Sequence, residues 1–148
     1  MNGAFEDIEI GLSRETPSRT VTEDEMLAFS REFDPQVFHL DPEAAKESVF
    51  GGLCASGWHT ASLMMRLQMD SWKSAYSMGS PGFDDLKWLK PLFPGDSIRV
   101  RSTCIDKTPS RSKADRGSAV WKTEVVNQKD EVVLSANLIG IYRKRDTG

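Results

Sequence analysis

The segment from residue 55 to about residue 76 limits the possible folds of this chain more than any other. Its large apolar side chains recur at helical spacing, as Trp58, Ala61, Met65, Met69, Trp72 and Tyr76. Leu63, Met64 and Leu67 widen this stripe, so the first three turns are apolar on nearly all sides. A helix of this kind is enclosed by other structure. The sequence therefore predicts one long central helix whose methionines belong to the core, and a surrounding layer that covers it.

The residues after this helix change to the pattern of β-strands. A Gly/Ser/Pro-rich loop over residues 77–82 is followed by four segments of alternating or apolar character, which are residues 83–92, 97–106, 119–127 and 132–143. Turn residues at 94–96 and 128–130 separate strands. One buried helix followed by antiparallel strands predicts an α+β fold in which an antiparallel sheet wraps around the long helix.

Signals for shorter elements precede the long helix. Alternation at Ile8 and Ile10 predicts a short strand, and residues 14–20 lead into a second extended piece. A capping box at Thr22 starts a helix near residue 23. That helix stops near residue 33, because Pro35 biases the residue before it away from helical geometry. A second N-cap at Asp41 predicts another short helix.

Composition limits the function classes. The chain has 148 residues with a net charge of -3, which fits one domain over residues 1–148 and gives no electrostatic support for nucleic-acid binding. Cys54 and Cys104 show no metal spacing and are expected to be reduced and structural. The polar N-terminus and the lack of a long apolar run predict a cytoplasmic protein without a membrane partner.

One run of residues combines the groups needed for proton transfer. Asp34 precedes His39 by five residues in the run Phe33-Asp34-Pro35-Gln36-Val37-Phe38-His39, and Ser56-Gly57 follows at the head of the long helix. A carboxylate, an imidazole and a glycine-led helix start can move a proton while they stabilise an oxyanion. The run therefore points to an enzyme.

These residues resemble the MaoC-like dehydratases, relatives of the (R)-specific enoyl-CoA hydratases, which have the hot-dog fold. That family carries an Asp-x-Asn-Pro-aliphatic-His motif and a small residue-Gly step that opens the central helix. Asp34 and His39 have the family's separation, and Ser56-Gly57 is the step. The resemblance continues through residues 89–96 and 109–117 and covers about residues 17–143. Gln36-Val37 stands where the family has Asn-Pro.

The resemblance implies a role for each site residue. Asp34 and His39 would hold a water between them, with Asp34 as the proton acceptor and with its pKa raised by the flanking Phe33 and Phe38. The backbone N–H of Gly57 would face the thioester oxygen, where glycine allows close approach of the substrate. The remaining substrate-binding residues are predicted to be Phe38, Ser56, Trp58, Arg111, Lys113 and Arg116. The three basic ones would bind the phosphates of coenzyme A, and a solvated hairpin loop balanced by Asp115 stays open as the alternative. His59 is expected to be a structural or pocket-lining residue.

The implied activity is the reversible addition of water to a trans-2-enoyl-CoA thioester in fatty acid metabolism, by a hydro-lyase. No metal is expected, and no cofactor beyond the coenzyme A of the substrate. A homodimer or higher homo-oligomer, with the substrate tunnel between subunits, is the expected assembly. An acyl-CoA thioesterase and a non-catalytic acyl-CoA-binding subunit stay open as alternatives, since fold does not settle chemistry.

Overall fold

The computed structural model describes residues 3–145 of the chain. A short 3-10 turn over Phe5–Asp7 comes first. The helices are α1 (Glu23–Phe33), α2 (Val37–Leu40), α3 (Pro42–Ala45) and α4 (Gly57–Trp72). The strands are β1 (Ser13–Glu15), β2 (Arg19–Thr20), β3 (Gly82–Trp88), β4 (Ser97–Pro109), β5 (Arg116–Val126) and β6 (Val132–Arg143).

The strands form an antiparallel sheet in the order β1-β4-β5-β6-β3, with β2 on the end of β4. The long strands β4, β5 and β6 make its centre, and β3 lies at one edge with β6 as its neighbour. Helix α4 packs on the inner face, where Leu63, Met64 and Leu67 join the core residues Ile98, Val100, Val125, Val133 and Leu134. The predicted α+β architecture, a sheet around one long helix, is confirmed.

The part of α4 that faces the core differs from the prediction. The helix is shorter than residues 55–76, and Trp58, Met65 and Met69 of the predicted stripe are exposed. The expectation that Met65 and Met69 belong to the core is therefore wrong for the single chain, whereas Met64 is fully buried. When a helix is apolar on nearly all sides, its sequence does not show which side packs against the sheet of the same chain.

The structure also corrects two predicted strands. Ile8 and Ile10 lie between the 3-10 turn and β1, and the first strand begins only at Ser13. Strand β3 ends at Trp88 and not at residue 92. Residues 89–92 continue as an irregular segment, anchored by hydrogen bonds from Leu89 N to Val133 O and from Ala55 N to Leu92 O.

The boundaries of the first helix agree with the sequence signals. The Oγ1 atom of Thr22 accepts a hydrogen bond from Glu25 N at 3.2 Å, and α1 ends at Phe33 before Asp34-Pro35. Helix α3 starts as predicted, since the Asp41 side chain accepts from the backbone of Glu43. In the part of the chain that the structure describes, no helix has the length and apolarity needed to cross a membrane.

Candidate active site

The end of α1 presents Asp34 to the interior. Its backbone caps the helix through a hydrogen bond from Asp34 N to Ser30 O, and its φ of -149° turns the chain away from the helix axis. Gln36 Nε2 donates to Asp34 Oδ1 at 2.6 Å, and Ser56 Oγ donates to Asp34 Oδ2 at 2.7 Å. Both carboxylate oxygens are thus held, one by the adjoining turn and one by the N-cap of α4.

The short helix α2, which the sequence analysis did not predict, carries His39 into the same place. The His39 ring is buried, and its Nδ1 lies 2.7 Å from the carbonyl oxygen of Cys54. A carbonyl oxygen can only accept, so Nδ1 carries the hydrogen of this bond. The bond fixes the orientation of the ring and leaves Nε2 of the neutral imidazole as an acceptor.

The second ring nitrogen of His39, Nε2, faces the carboxylate of Asp34. His39 Nε2 lies 3.4 Å from Asp34 Oδ2, which is longer than an ordinary hydrogen bond. With neutral His39, both atoms are acceptors. A small molecule with two O–H groups can therefore donate one hydrogen bond to each of these two acceptors.

The electrostatics of Asp34 differ from the prediction. Burial acts to raise the pKa of Asp34, but the hydrogen bonds from Gln36 and Ser56 and the proximity of His39 hold that pKa below its ordinary value. The predicted apolar surroundings are missing on one side, because Phe33 points outward and is 64% exposed. Phe38 contacts the His39 ring edge-on instead, with ring centroids 4.6 Å apart. The expectation of a raised pKa for Asp34 is therefore wrong.

Gly57 opens α4 beside this pair. As the first residue of the helix it has no intrahelical acceptor for its N–H group, and among residues 3–145 no other acceptor is found. The N-terminal end of a helix carries a partial positive charge that favours anions. The Gly57 N–H group is therefore a free donor at an electropositive position.

Trp88 gives a reason for glycine at this position that does not involve a substrate. The indole Nε1 donates to Gly57 O at 2.8 Å, and a β-carbon on residue 57 would lie 2.5 Å from the indole ring. Trp88 also contacts Trp58 edge-to-face, at a centroid distance of 5.1 Å. The two tryptophans form one wall beside the helix start.

These groups share one cleft of about 340 Å³. Its size falls in the range usual for small-molecule sites. Asp34, His39 and Gly57 line it together with the aromatic residues Phe50, Trp58 and Trp88 and the segment 89–92.

Comparison with known proteins identifies the family. The MaoC like domain matches residues 7–129, which is most of the chain. The chain belongs to the MaoC-like domain family. A MaoC-like dehydratase from Rhodospirillum rubrum, known from its crystal structure, is 39% identical and superposes with a TM-score of 0.92, covering 97% of this chain and 98% of that chain.

Two further proteins resemble this chain over a smaller part of their length or at a lower sequence identity. The mesaconyl-CoA hydratase of Cereibacter sphaeroides is 39% identical over 75 residues, which are 50% of this chain and 21% of that enzyme. A double hotdog protein of Mycobacterium tuberculosis superposes with a TM-score of 0.81 at 15% identity, covering 99% of this chain and 46% of that chain. The predicted family and the predicted hot-dog fold are confirmed.

The remaining predicted residues of this MaoC-like domain divide into two groups. Ser56 caps α4 by accepting from Trp58 N at 3.3 Å and also holds Asp34. Trp58 lines the cleft, and Phe38 supports the His39 ring. These three lie at the site, although their contact with a substrate stays a prediction.

The basic residues lie elsewhere in the single chain. Arg111 and Lys113 are in the exposed turn between β4 and β5, and Arg116 is paired with Asp115. Arg116 pairs in the sheet with Arg143, whereas the cleft segment bonds to Val133. About ten strand residues separate these points, which is roughly 30 Å. Within one chain the structure does not bring this turn to the cleft.

The other titratable groups near the cleft have structural surroundings. Both cysteines are free and buried, and burial together with the Asp34 charge raises the pKa of Cys54 to about 11. His59 stacks on Phe29 at a centroid distance of 4.8 Å, and burial lowers its pKa. Within residues 3–145, no cluster of three His, Cys, Asp or Glu side chains has the geometry of a metal site.

Sequence reasoning missed the residues that orient the pair. Gln36, the Cys54 carbonyl and Trp88 set the positions of Asp34, His39 and Gly57 respectively. The contact of Gln36 with Asp34 could have been predicted from the sequence, because Gln36 lies only two residues after Asp34 and stands where the chain departs from the family motif. The other two contacts depend on the tertiary fold.

Proposed function

We propose that this protein is an enoyl-CoA hydratase, which adds water reversibly to a trans-2-enoyl-CoA thioester. The observation that carries the proposal is the convergence of three groups on one cleft. Asp34 and His39 face each other across 3.4 Å, and Gly57 at the start of α4 lines the same cleft. The MaoC-like family and the mesaconyl-CoA hydratase relative support this reaction class.

The first step follows from the two acceptors. A water between them gives one hydrogen bond to Asp34 Oδ2 and one to His39 Nε2, so an oxygen lone pair is free to attack the β-carbon of the enoyl group. The low pKa of Asp34 makes its carboxylate a weak base. We therefore assign proton acceptance to His39, whose ring is fixed by Cys54 O, and assign orientation of the water to Asp34.

The second step returns the proton. Attack of the oxygen at the β-carbon moves the π electrons to the thioester oxygen, which becomes enolate-like. The Gly57 N–H and the N-terminal end of α4 stabilise that charge. Protonated His39 then gives its proton to the α-carbon, the carbonyl re-forms, and the 3-hydroxyacyl-CoA leaves a neutral imidazole. The elements of water are added, and no redox change occurs.

We further propose that the protein acts as a homodimer. Strand β3 is hydrogen-bonded on one side by β6, and an uncovered edge favours pairing with another chain. Its Phe83 and Trp88 are exposed, as are Met65 and Met69 of α4. An apolar surface of this kind marks an interface. The predicted role of Arg111, Lys113 and Arg116 at coenzyme A phosphates now depends on a second copy that brings them near this cleft.

The reaction assay separates the proposal from its alternatives. The full chain is incubated with crotonyl-CoA while the absorbance of the conjugated double bond and the release of free thiol are followed together. Loss of conjugation without thiol release supports the hydratase. Thiol release identifies a thioesterase, and neither change identifies an acyl-CoA-binding protein.

A further inference from the structure

A second cavity lies at the other end of α4. It has a volume of about 580 Å³ and shares no lining residue with the candidate active site. Gln68 of α4 lines it, eleven residues after Gly57, which corresponds to roughly 16 Å along the helix. The two cavities are therefore separate in the single chain.

Strand β1 directs one arginine into this cavity. Side chains alternate along a strand, and Ser13 and Glu15 bond outward to Thr103 and Arg99. Arg14 between them therefore points inward. Its guanidinium lies between two indole rings, 4.4 Å from the ring centroid of Trp72 and 4.1 Å from that of Trp121.

The polar edge of this guanidinium has no protein partner among the described residues. Its Nε is buried without an acceptor, and none of the ion pairs within residues 3–145 involves Arg14. Burial lowers the pKa of Arg14, against the opposing effects of Tyr142 and Cys104. Arg14 is partly buried, and charges that are withdrawn from water in proteins are usually paired, so this unpaired guanidinium is suited to bind an anion.

Gln68 supplies a second unpaired donor at this cavity. Gln68 is only 3% exposed, and its Nε2 is also buried without an acceptor. Lys73 lines the cavity as well, and its described lining residues include no carboxylate. The remaining wall is largely apolar, with Ile8 and Leu138 in it.

We propose that this cavity binds an organic acid, with the carboxylate on Arg14 and Gln68 and the hydrocarbon part against the apolar wall. Arginine matches a carboxylate with two parallel N–H···O bonds. The two indole rings exclude water from the guanidinium faces, which strengthens its attraction for an anion. The apolar wall favours a carboxylate with a hydrocarbon body over an inorganic anion.

The test measures binding of defined probes to the full chain by titration calorimetry at constant ionic strength. Octanoate and benzoate are compared with octanamide, which lacks the charge, and with inorganic phosphate, which lacks the hydrocarbon. We expect saturable binding of at least one carboxylate with one site per chain, and at least about tenfold weaker binding of octanamide and phosphate. The His39→Ala variant should bind the carboxylate as the wild type does, because the active site is elsewhere.

Variants assign the binding to Arg14. Arg14→Met keeps an unbranched chain between the two indoles but removes the charge, and should weaken carboxylate binding at least about tenfold. Gln68→Met is the second variant if Arg14→Met fails to fold. Arg66→Met is the matched control, because Arg66 is exposed on the same helix and pairs with Asp70.

Three results would overturn the proposal. The first is no saturable binding of either carboxylate at concentrations up to about millimolar. The second is equal binding of octanamide or phosphate, which would indicate a purely apolar pocket or an unspecific anion site. The third is unchanged carboxylate binding in Arg14→Met, or in Gln68→Met if Arg14→Met does not fold, or loss of binding in His39→Ala.

Discussion

The indole of Trp88 lies directly over Gly57, with Nε1 donating to the Gly57 carbonyl at 2.8 Å. A methyl group on residue 57 would lie 2.5 Å from the indole carbons. Glycine at this helix start is therefore required by a neighbouring side chain. The backbone N–H that we assign to the oxyanion is a separate property of the same residue.

This relationship makes a prediction for the Gly57→Ala variant. The new methyl group displaces Trp88 and shifts the start of α4, so turnover of an enoyl-CoA should fall by about 10². In the double variant Gly57→Ala/Trp88→Ala, the cause of the displacement is gone. Its turnover should return to that of Trp88→Ala alone, in a double-mutant cycle that measures the coupling of the two positions.

The cycle also has a contradicting outcome. If the double variant stays as slow as Gly57→Ala, the added methyl group slows the enzyme by obstructing the substrate. The displacement of Trp88 is then not the cause. Trp58→Ala is the matched control, since Trp58 is the exposed neighbour that contacts Trp88 edge-to-face.

The hydrogen bond from Gln36 predicts a shift in pH dependence. The proposed mechanism needs Asp34 ionised and His39 neutral, so the pH dependence of the rate reports both groups and the pKa of Asp34 has to be followed directly. Gln36 holds that pKa below its ordinary value, so Gln36→Ala should raise it. The carboxyl carbon of Asp34, followed by NMR, should then titrate at higher pH in the variant than in the wild type.

A glutamine elsewhere in the chain provides the control for this shift. Gln128 Nε2 donates to Asp96 Oδ1 at 2.9 Å, outside the candidate active site. Gln128→Ala should leave the titration of Asp34 as it is in the wild type. An unchanged titration of Asp34 in Gln36→Ala would contradict the role of the Gln36 hydrogen bond in lowering this pKa.

The cysteines should be unreactive in the folded protein. Burial raises the pKa of Cys104, and that of Cys54 lies at about 11, so little thiolate exists at neutral pH. Iodoacetamide should leave both thiols unmodified by mass spectrometry and should modify both after unfolding in guanidinium. Stoichiometric modification of Cys54 in the folded state would contradict the described surroundings of His39.

The exposed edge of the sheet predicts the oligomeric state. Sedimentation at micromolar concentration should give at least twice the chain mass of 16.5 kDa. Phe83→Lys places a charge on the exposed strand β3 and should shift the protein towards monomer. Ile10→Lys is the control at another exposed apolar position and should leave the mass unchanged. A wild-type monomer would remove the proposed interface.

The sequence predicted those features of the fold that depend on local signals. The capping box at Thr22 and Pro35 set the ends of α1, and the alternation over residues 132–143 matched β6. The prediction of which side of α4 is buried was wrong, because Met65 and Met64 are equally apolar and differ only in what covers them. Helix α2 was missed because its four residues are too few to show periodicity.

The sequence predicted which groups lie together at the candidate site but not their electrostatics. The spacing of Asp34 and His39 is visible in the sequence, and the structure brings them to 3.4 Å from each other. The lowered pKa of Asp34 depends on the hydrogen bond from Gln36 and, after it, on that from Ser56. Ser56 is distant in the sequence and reaches the carboxylate only after α4 docks against α1. Our proposal therefore assigns proton acceptance to His39, where the sequence analysis expected Asp34.

The most direct test of the account is the hydration rate of crotonyl-CoA by the wild type and by Asp34→Asn, His39→Ala and Asp41→Asn. Asp41 is the control, because it is an exposed carboxylate that caps α3, and asparagine also serves as an N-cap. The account predicts hydration by the wild type and by Asp41→Asn. It predicts loss of turnover by about 10² or more in each of Asp34→Asn and His39→Ala, with the fold retained. No hydration by the wild type, or rates within a few-fold of it in both site variants, would contradict the account.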